Sequence, residues 1–190
     1  MKIEVLEDNA RALSFTLKDA SNAYANAIRR ISMNHVQSFA IESVTFYENS
    51  SAMFDEYISH RIGLIPILTP DGYTEEDEIL FTLDATGPKT VYSRELETKD
   101  KGVKVANENI PIIKLGAEQR LRIDCKAVLG EGAKHAKFQP GLVSYDQTND
   151  NAFNFSVESF GQMPPKEIIN KALTRIKEEI KDIEKSAKKL

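Results

Sequence analysis

Between Lys2 and Lys18 apolar positions alternate with polar ones, Ile3 and Val5 and then Leu13, Phe15 and Leu17, around the turn-favouring Asp8 and Asn9. Alternation of period two on both sides of a turn predicts an antiparallel hairpin with one buried face. After two candidate N-caps, Asp19 and Ser21, the period lengthens, and Tyr24, Ile28, Ile31 and His35 recur at helical spacing beside the small Ala20 and Ala27. "SFAIESVTFY" then reads as a strand because it is rich in β-branched and aromatic residues. A second helix is expected from Ser51 to Ile62, with Asp55 and Glu56 near its positive N-terminal end and Gly63 placed to stop it.

"LIPIL" follows as a buried extended segment, and "TPDGYTEEDE", Thr69 to Glu78, as a solvated loop. Strands are expected at "ILFTLDA", "TVYSREL", "IPIIKL" and "QRLRIDCKAVLG", the last alternating Leu121, Ile123, Cys125 and Ala127. "FNFSVESFG" alternates Phe153, Phe155 and Val157, and a Pro-Pro pair then opens a long terminal helix. Hairpin, helix and strand, a β-rich middle, then a strand and a helix make an α+β chain of two domains. Residues 1–47 and 152–190 form one of them, and 48–151 are inserted as the other.

In the terminal helix apolar residues fall at Ile169, Leu173, Ile176, Ile180, Ile183, Ala187 and Leu190, steps of four and three, with Lys, Glu, Asp, Arg or small polar residues between them. This is a heptad stripe one residue wide, on a helix of roughly 37 Å if about 25 residues are helical. Such a stripe either lies on the domain's own sheet, as in an ordinary amphipathic helix, or is shared with a second chain; because a stripe so narrow suits another helix and a helix so long tends to overhang a small domain, the second is expected.

The first helix is two-sided. Tyr24, Ile28, Ile31 and His35 share one face; Asn22, Asn26, Arg29, Arg30 and Met33 share the other. No acidic residue lies between Ala20 and Ala40 to meet the two arginines, although the chain carries 29 acidic and 25 basic side chains. Ordinary solvated faces mix both signs, so this polar face is expected to meet another protein.

The net charge of -4 argues against a nonspecific polyanion binder, which needs a surplus of Lys and Arg. A lone cysteine, Cys125, can build neither a disulfide framework nor a cysteine-based metal site. The start "MKIEVLEDNA" lacks a signal-peptide core and no apolar run approaches a membrane span, which points to a cytoplasmic protein. The stretch from Gly130 to Gly141, "GEGAKHAKFQPG", is the one candidate for phosphate chemistry, through Lys134, His135 and Lys137. Its glycine spacing is not that of a P-loop, and Pro140 sits where the phosphate-binding helix would run. A small phosphate-dependent enzyme using Gly130 to Lys137 is the rival to a partner-binding role. His35, His60 and His135 are too scattered to suggest a metal site, and His35, on the apolar stripe with Tyr24 and Ile31, reads as a hydrogen-bonded packing histidine.

"NAIRR", "FAIESVTFYENSSAMFDEYISHRIGLIPI", "GEGAKHAKFQPGLVSY", "FNFSVES" and the charged heptad helix, in that order, resemble the D subunits of archaeal RNA polymerase, a family that includes the eukaryotic third-largest polymerase subunit and the N-terminal part of bacterial alpha. The resemblance implies a dimerisation domain built from both chain ends, an insert domain, and no active site in this chain. The implied partner is the small subunit L, and the pair would be the platform for subunits N and P and the second-largest catalytic subunit. On this resemblance Tyr24, Ile28, Ile31, His35, Ile169, Leu173, Ile176, Ile180 and Ile183 face subunit L, and Asn26, Arg29 and Arg30 face the large subunit. His60, Arg61, His135, Lys137 and Phe138 are further polymerase-subunit contacts. Many relatives carry cysteine clusters for zinc or iron-sulfur centres; this sequence has none, so neither cofactor is expected. The chain stops at Leu190 without alpha's DNA-binding domain, so no direct DNA contact is expected either.

Overall fold

Among the described residues ten strands and three α-helices follow one another along the chain. They are β1 (Lys2–Asp8), β2 (Ala12–Lys18), α1 (Asn22–Asn34), β3 (Gln37–Asn49), α2 (Asp55–Gly63), β4 (Glu78–Thr86), β5 (Lys89–Tyr92), β6 (Glu97–Thr98), β7 (Pro111–Leu115), β8 (Arg120–Glu131), β9 (Gly141–Asn149), β10 (Ala152–Ser159) and α3 (Pro165–Ala187). The structure, a computed structural model, describes residues 1–188; Leu190, the last position of the heptad stripe, lies outside the described residues. The chain divides into two units, Met1–Gln37 with Glu131–Leu190, and Ser38–Gly130.

In the first unit β1 and β2 form the expected hairpin, extended into a four-stranded antiparallel sheet of order β1-β2-β10-β9. The alternating residues of β2 and β10 meet across the ladder, Leu17 opposite Phe153 and Phe15 opposite Phe155. The two last-named rings stack with centroids 4.9 Å apart, a geometry that adds to the burial of each ring. Ile28 of α1 and Ile169 and Ile176 of α3 close the core over this face. Ser21 caps α1, its Oγ accepting from the Tyr24 N–H at 3.3 Å, and Pro165 occupies the first turn of α3, where its missing N–H costs nothing.

The second unit holds a sheet of order β3-β8-β4-β6 and a two-stranded ladder of β5 and β7. Strict alternation in β4 places Ile79, Phe81, Leu83 and Ala85 inward, opposite Ala127, Cys125, Ile123 and Leu121 of β8. Ile58 and Ile62 of α2, with Ile65 and Ile67 of the expected extended segment, complete this core. Burial pushes the Cys125 thiol up to about 12, so it is inert packing at neutral pH.

The structure departs from the sequence pattern at three places. α2 begins at Asp55, not Ser51. A strand that the sequence reading omitted, β9, pairs with β10. The units divide at Gln37 and Gly130, not at 47 and 151: β3 joins the sheet of β8 and β4, and β9 joins that of β10, so each strand belongs with its hydrogen-bonded neighbours.

Candidate subunit interface

The heptad stripe of α3 has two halves with different environments. Ile169 and Ile176 are buried in the first unit's own core and Leu173 is half-buried against it. Beyond Ile176 every residue to Lys188 is exposed. Ile180 is 50% exposed and Ile183 68%, against 8% for Ile176. The segment Lys177–Ala187 is therefore an overhang of about 16 Å, at 1.5 Å per residue, still carrying the apolar stripe.

A second uncovered apolar region lies on β1. Ile3 and Val5 stand opposite Leu17 and Phe15, on the face of the sheet that bears the helices, because directly paired residues of antiparallel strands point the same way. Both are nevertheless exposed. The hairpin's alternation is thus correct, but among the described residues nothing covers its first strand.

In α1 the fully buried residues are Ala25, Ile28 and Ser32. Tyr24 and Ile31 are half-buried at the edge of that stripe, and Met33 packs against the same core rather than joining the polar face. Ile28, Ile169 and Ile176 therefore offer no surface to a partner. His35 caps the end of α1, and its Nδ1 shares a 2.9 Å hydrogen bond with Glu131 Oε2. The other carboxylate oxygen of Glu131 lies 3.9 Å from Arg175 of α3, so His35 serves first to tie α1 to its neighbours.

The polar face of α1 is partly preorganised. Arg29 donates from Nε and Nη2 to Asn26 Oδ1 at 3.2 and 3.0 Å, which fixes the guanidinium beside the helix without neutralising it. Arg30 is exposed. Among the described residues neither arginine has a carboxylate within ion-pair range, so both charges remain available to an acidic surface.

The glycine-rich loop is built for packing. A Cβ on Gly132 would collide with the Met33 carbonyl oxygen, which is why glycine is needed where the loop crosses the end of α1. Its amides are already engaged: Ala133 donates to the Asn34 carbonyl, Lys134 to that of Glu131 and Phe138 to that of His135, and the Lys137 N–H to His135 Nδ1. Phosphate binding would have to break these bonds. Lys134 and Lys137 lie over the Phe138 ring, at 5.6 and 5.2 Å. Phe138 is fully buried, so it is a packing residue and not a surface contact. His60 is exposed on α2, whereas Arg61 is bound to β7, donating to the carbonyls of Ile112 at 2.9 Å and Pro111 at 2.6 Å.

Residues 40–147 match the family model of the RNA polymerase Rpb3/RpoA insert domain. The chain is 48% identical over 163 residues to DNA-directed RNA polymerase subunit Rpo3 of Methanocaldococcus jannaschii, an alignment taking in 86% of this chain and 83% of that one. The chain belongs to the Rpo3 family of RNA polymerase subunits. The Rpo3 subunits of Pyrococcus furiosus and Halobacterium salinarum are 43% and 41% identical, over 76% and 74% of this chain. It spans only 58% and 56% of those two relatives. The matched insert model runs past Gly130 into β9, and so takes in the loop that packs on α1. Among the described residues no helix is long and apolar enough to cross a membrane.

Proposed function

We propose that the chain is a non-catalytic assembly subunit of archaeal DNA-directed RNA polymerase, working in the cytoplasm. It pairs with the small subunit L, and the pair is the platform that gathers subunits N and P and the second-largest catalytic subunit. The observation that carries this reading is the division of the α3 stripe. Its first half is in the chain's own core, and its second half, Ile180 and Ile183, continues with the same spacing into solvent. A free-standing domain gains nothing from such a stripe, whereas full burial of an isoleucine contributes about 1.5 to 3 kcal/mol. Half-buried Tyr24, Ile31 and Leu173 and uncovered Ile3 and Val5 enlarge the surface for the same partner.

The arginines of α1, which meet no carboxylate among the described residues, are the candidate contact with the large subunit. His60, His135 and Lys137 are candidates for the smaller contacts. The chain works without zinc or an iron-sulfur cluster, a reading supported by the isolation of Cys125 in a strand interior; elemental analysis finding one retained metal per chain would overturn it. Co-expression with subunit L, followed by light scattering, tests the assembly role. A one-to-one complex is expected, and a chain that elutes alone at 21.3 kDa beside free subunit L contradicts it.

A further inference from the structure

We infer that the α3 overhang is also complementary to itself, so that without a small partner subunit two copies of this chain pair antiparallel through it. This rests on reading the overhang as a pairing seam, and adds a second occupant and its register. In the heptad frame of the stripe, Leu173, Ile180 and Ala187 occupy a, and Ile169, Ile176 and Ile183 occupy d. The flanking e positions are then Lys177 and Glu184, and the flanking g positions Glu179 and Ser186.

In an antiparallel pair a residues layer on d residues, e flanks face e flanks and g flanks face g flanks. Ile180 of each copy then meets Ile183 of the other. Lys177 faces Glu184 of the second copy and, by the twofold axis, Glu184 faces Lys177. Among the described residues neither side chain has an ion-pair partner in its own chain. On the other flank Glu179 faces Ser186, and Glu179 is already held by Arg175 at 3.3 Å, so no like charges meet.

A parallel pair fails on the same residues. There g flanks face e flanks five residues on, which sets Glu179 against Glu184 twice and removes both favourable pairs. The charge pattern therefore selects one orientation. Only Ile180, Ile183 and Ala187 lie beyond each chain's own core, so the self-pair is short and readily exchanged. Pairing with a small subunit then proceeds by displacing the second copy.

The test is light scattering of the full chain, alone, across a concentration series. The mass should rise from 21.3 kDa toward twice that value. Lys177→Glu should weaken the dimer by about 10-fold or more, and Lys177→Glu combined with Glu184→Lys should restore it. A mass of 21.3 kDa at every concentration overturns the inference, as does a dimer indifferent to Lys177→Glu. If the chain stays monomeric alone but binds subunit L through Ile180 and Ile183, self-pairing is lost and the assembly reading stands; if it does neither, both fall.

Discussion

Replacing Ile180 and Ile183 by alanine should separate folding from pairing. Ile180 is 50% exposed and Ile183 68%, so about half to two-thirds of each side chain's burial is still to be gained on docking. Full burial is worth about 1.5 to 3 kcal/mol. The exposed remainders, less the Cβ that alanine keeps, amount to about 1 to 3 kcal/mol for the two positions together. That is a loss of roughly 5- to 150-fold in affinity for subunit L. The chain's own stability should hardly move, by about 0.5 kcal/mol or less per site, because neither residue packs on its own body. Ile176→Ala is the contrasting control. It is 8% exposed within the same stripe and should destabilise the chain by about 2 to 5 kcal/mol. Urea denaturation of the free chain gives the first quantity and titration with labelled subunit L the second. A midpoint that drops with Ile180→Ala and Ile183→Ala as far as it does with Ile176→Ala would mean that the overhang folds onto its own unit. Unchanged affinity would remove the seam from the interface.

Arg29→Ala with Arg30→Ala should leave folding and pairing with subunit L intact and abolish recruitment of the large subunit in a pull-down, since interface arginines can contribute about 2 kcal/mol or more each; undiminished recruitment refutes the two-sided α1. Gly132→Ala forces a Cβ into the Met33 carbonyl oxygen and should destabilise the chain by about 1 to 3 kcal/mol, so a urea midpoint equal to the parent's would show that the loop does not press on α1. The Asp100 carboxyl is held below its ordinary 3.8 by the N–H groups of Val103 and Gly102 and by the Tyr73 hydroxyl. A depressed carboxylate pKa adds stability above the unfolded value that is lost as pH falls through the folded one. The turn from Asp100 to Val103 should therefore hold at neutral pH and loosen in acid, below that value, as read by amide exchange at Val103; protection at neutral pH that survives Asp100→Asn would contradict it.

Although β1 is exposed throughout, it alternates in step with β2; β2, α1, the alternation of β4 and β8 and the long α3 were legible because each has one face in a core, and one-sided burial writes its period into the chain. β9 was not: only Val143 and Tyr145 point inward, and its far half, Asp146 to Asn149, is exposed and polar at a sheet edge. The unit boundaries failed for a related reason. Which sheet β3 or β9 joins is decided by pairing with distant strands, and local periodicity carries no trace of that.

The candidate site shows the same limit. A heptad stripe tells which face of α3 is apolar, not which body covers it, so Ile169 and Ile176 were grouped with Ile180 and Ile183 although only the latter two are free. Phe138, set among Lys134, His135 and Lys137, looked like surface and is core. The signal that would have suggested otherwise was Gly132, whose small size lets the loop lie against α1. His35 was legible as a hydrogen-bonded packing histidine from its place on the apolar stripe, whereas Arg61 reads as a contact for another subunit because a sequence does not show the carbonyls that already bind it.

The central claim, that Lys177–Ala187 is a seam waiting for a partner helix, is tested most directly by amide hydrogen exchange on the chain with and without subunit L. The account predicts that amides of the overhang exchange quickly in the free, dilute chain and slow markedly in the complex, while those of β4 and β8 in the second unit keep their rates. A stable complex in which the overhang exchanges as fast as before would contradict it.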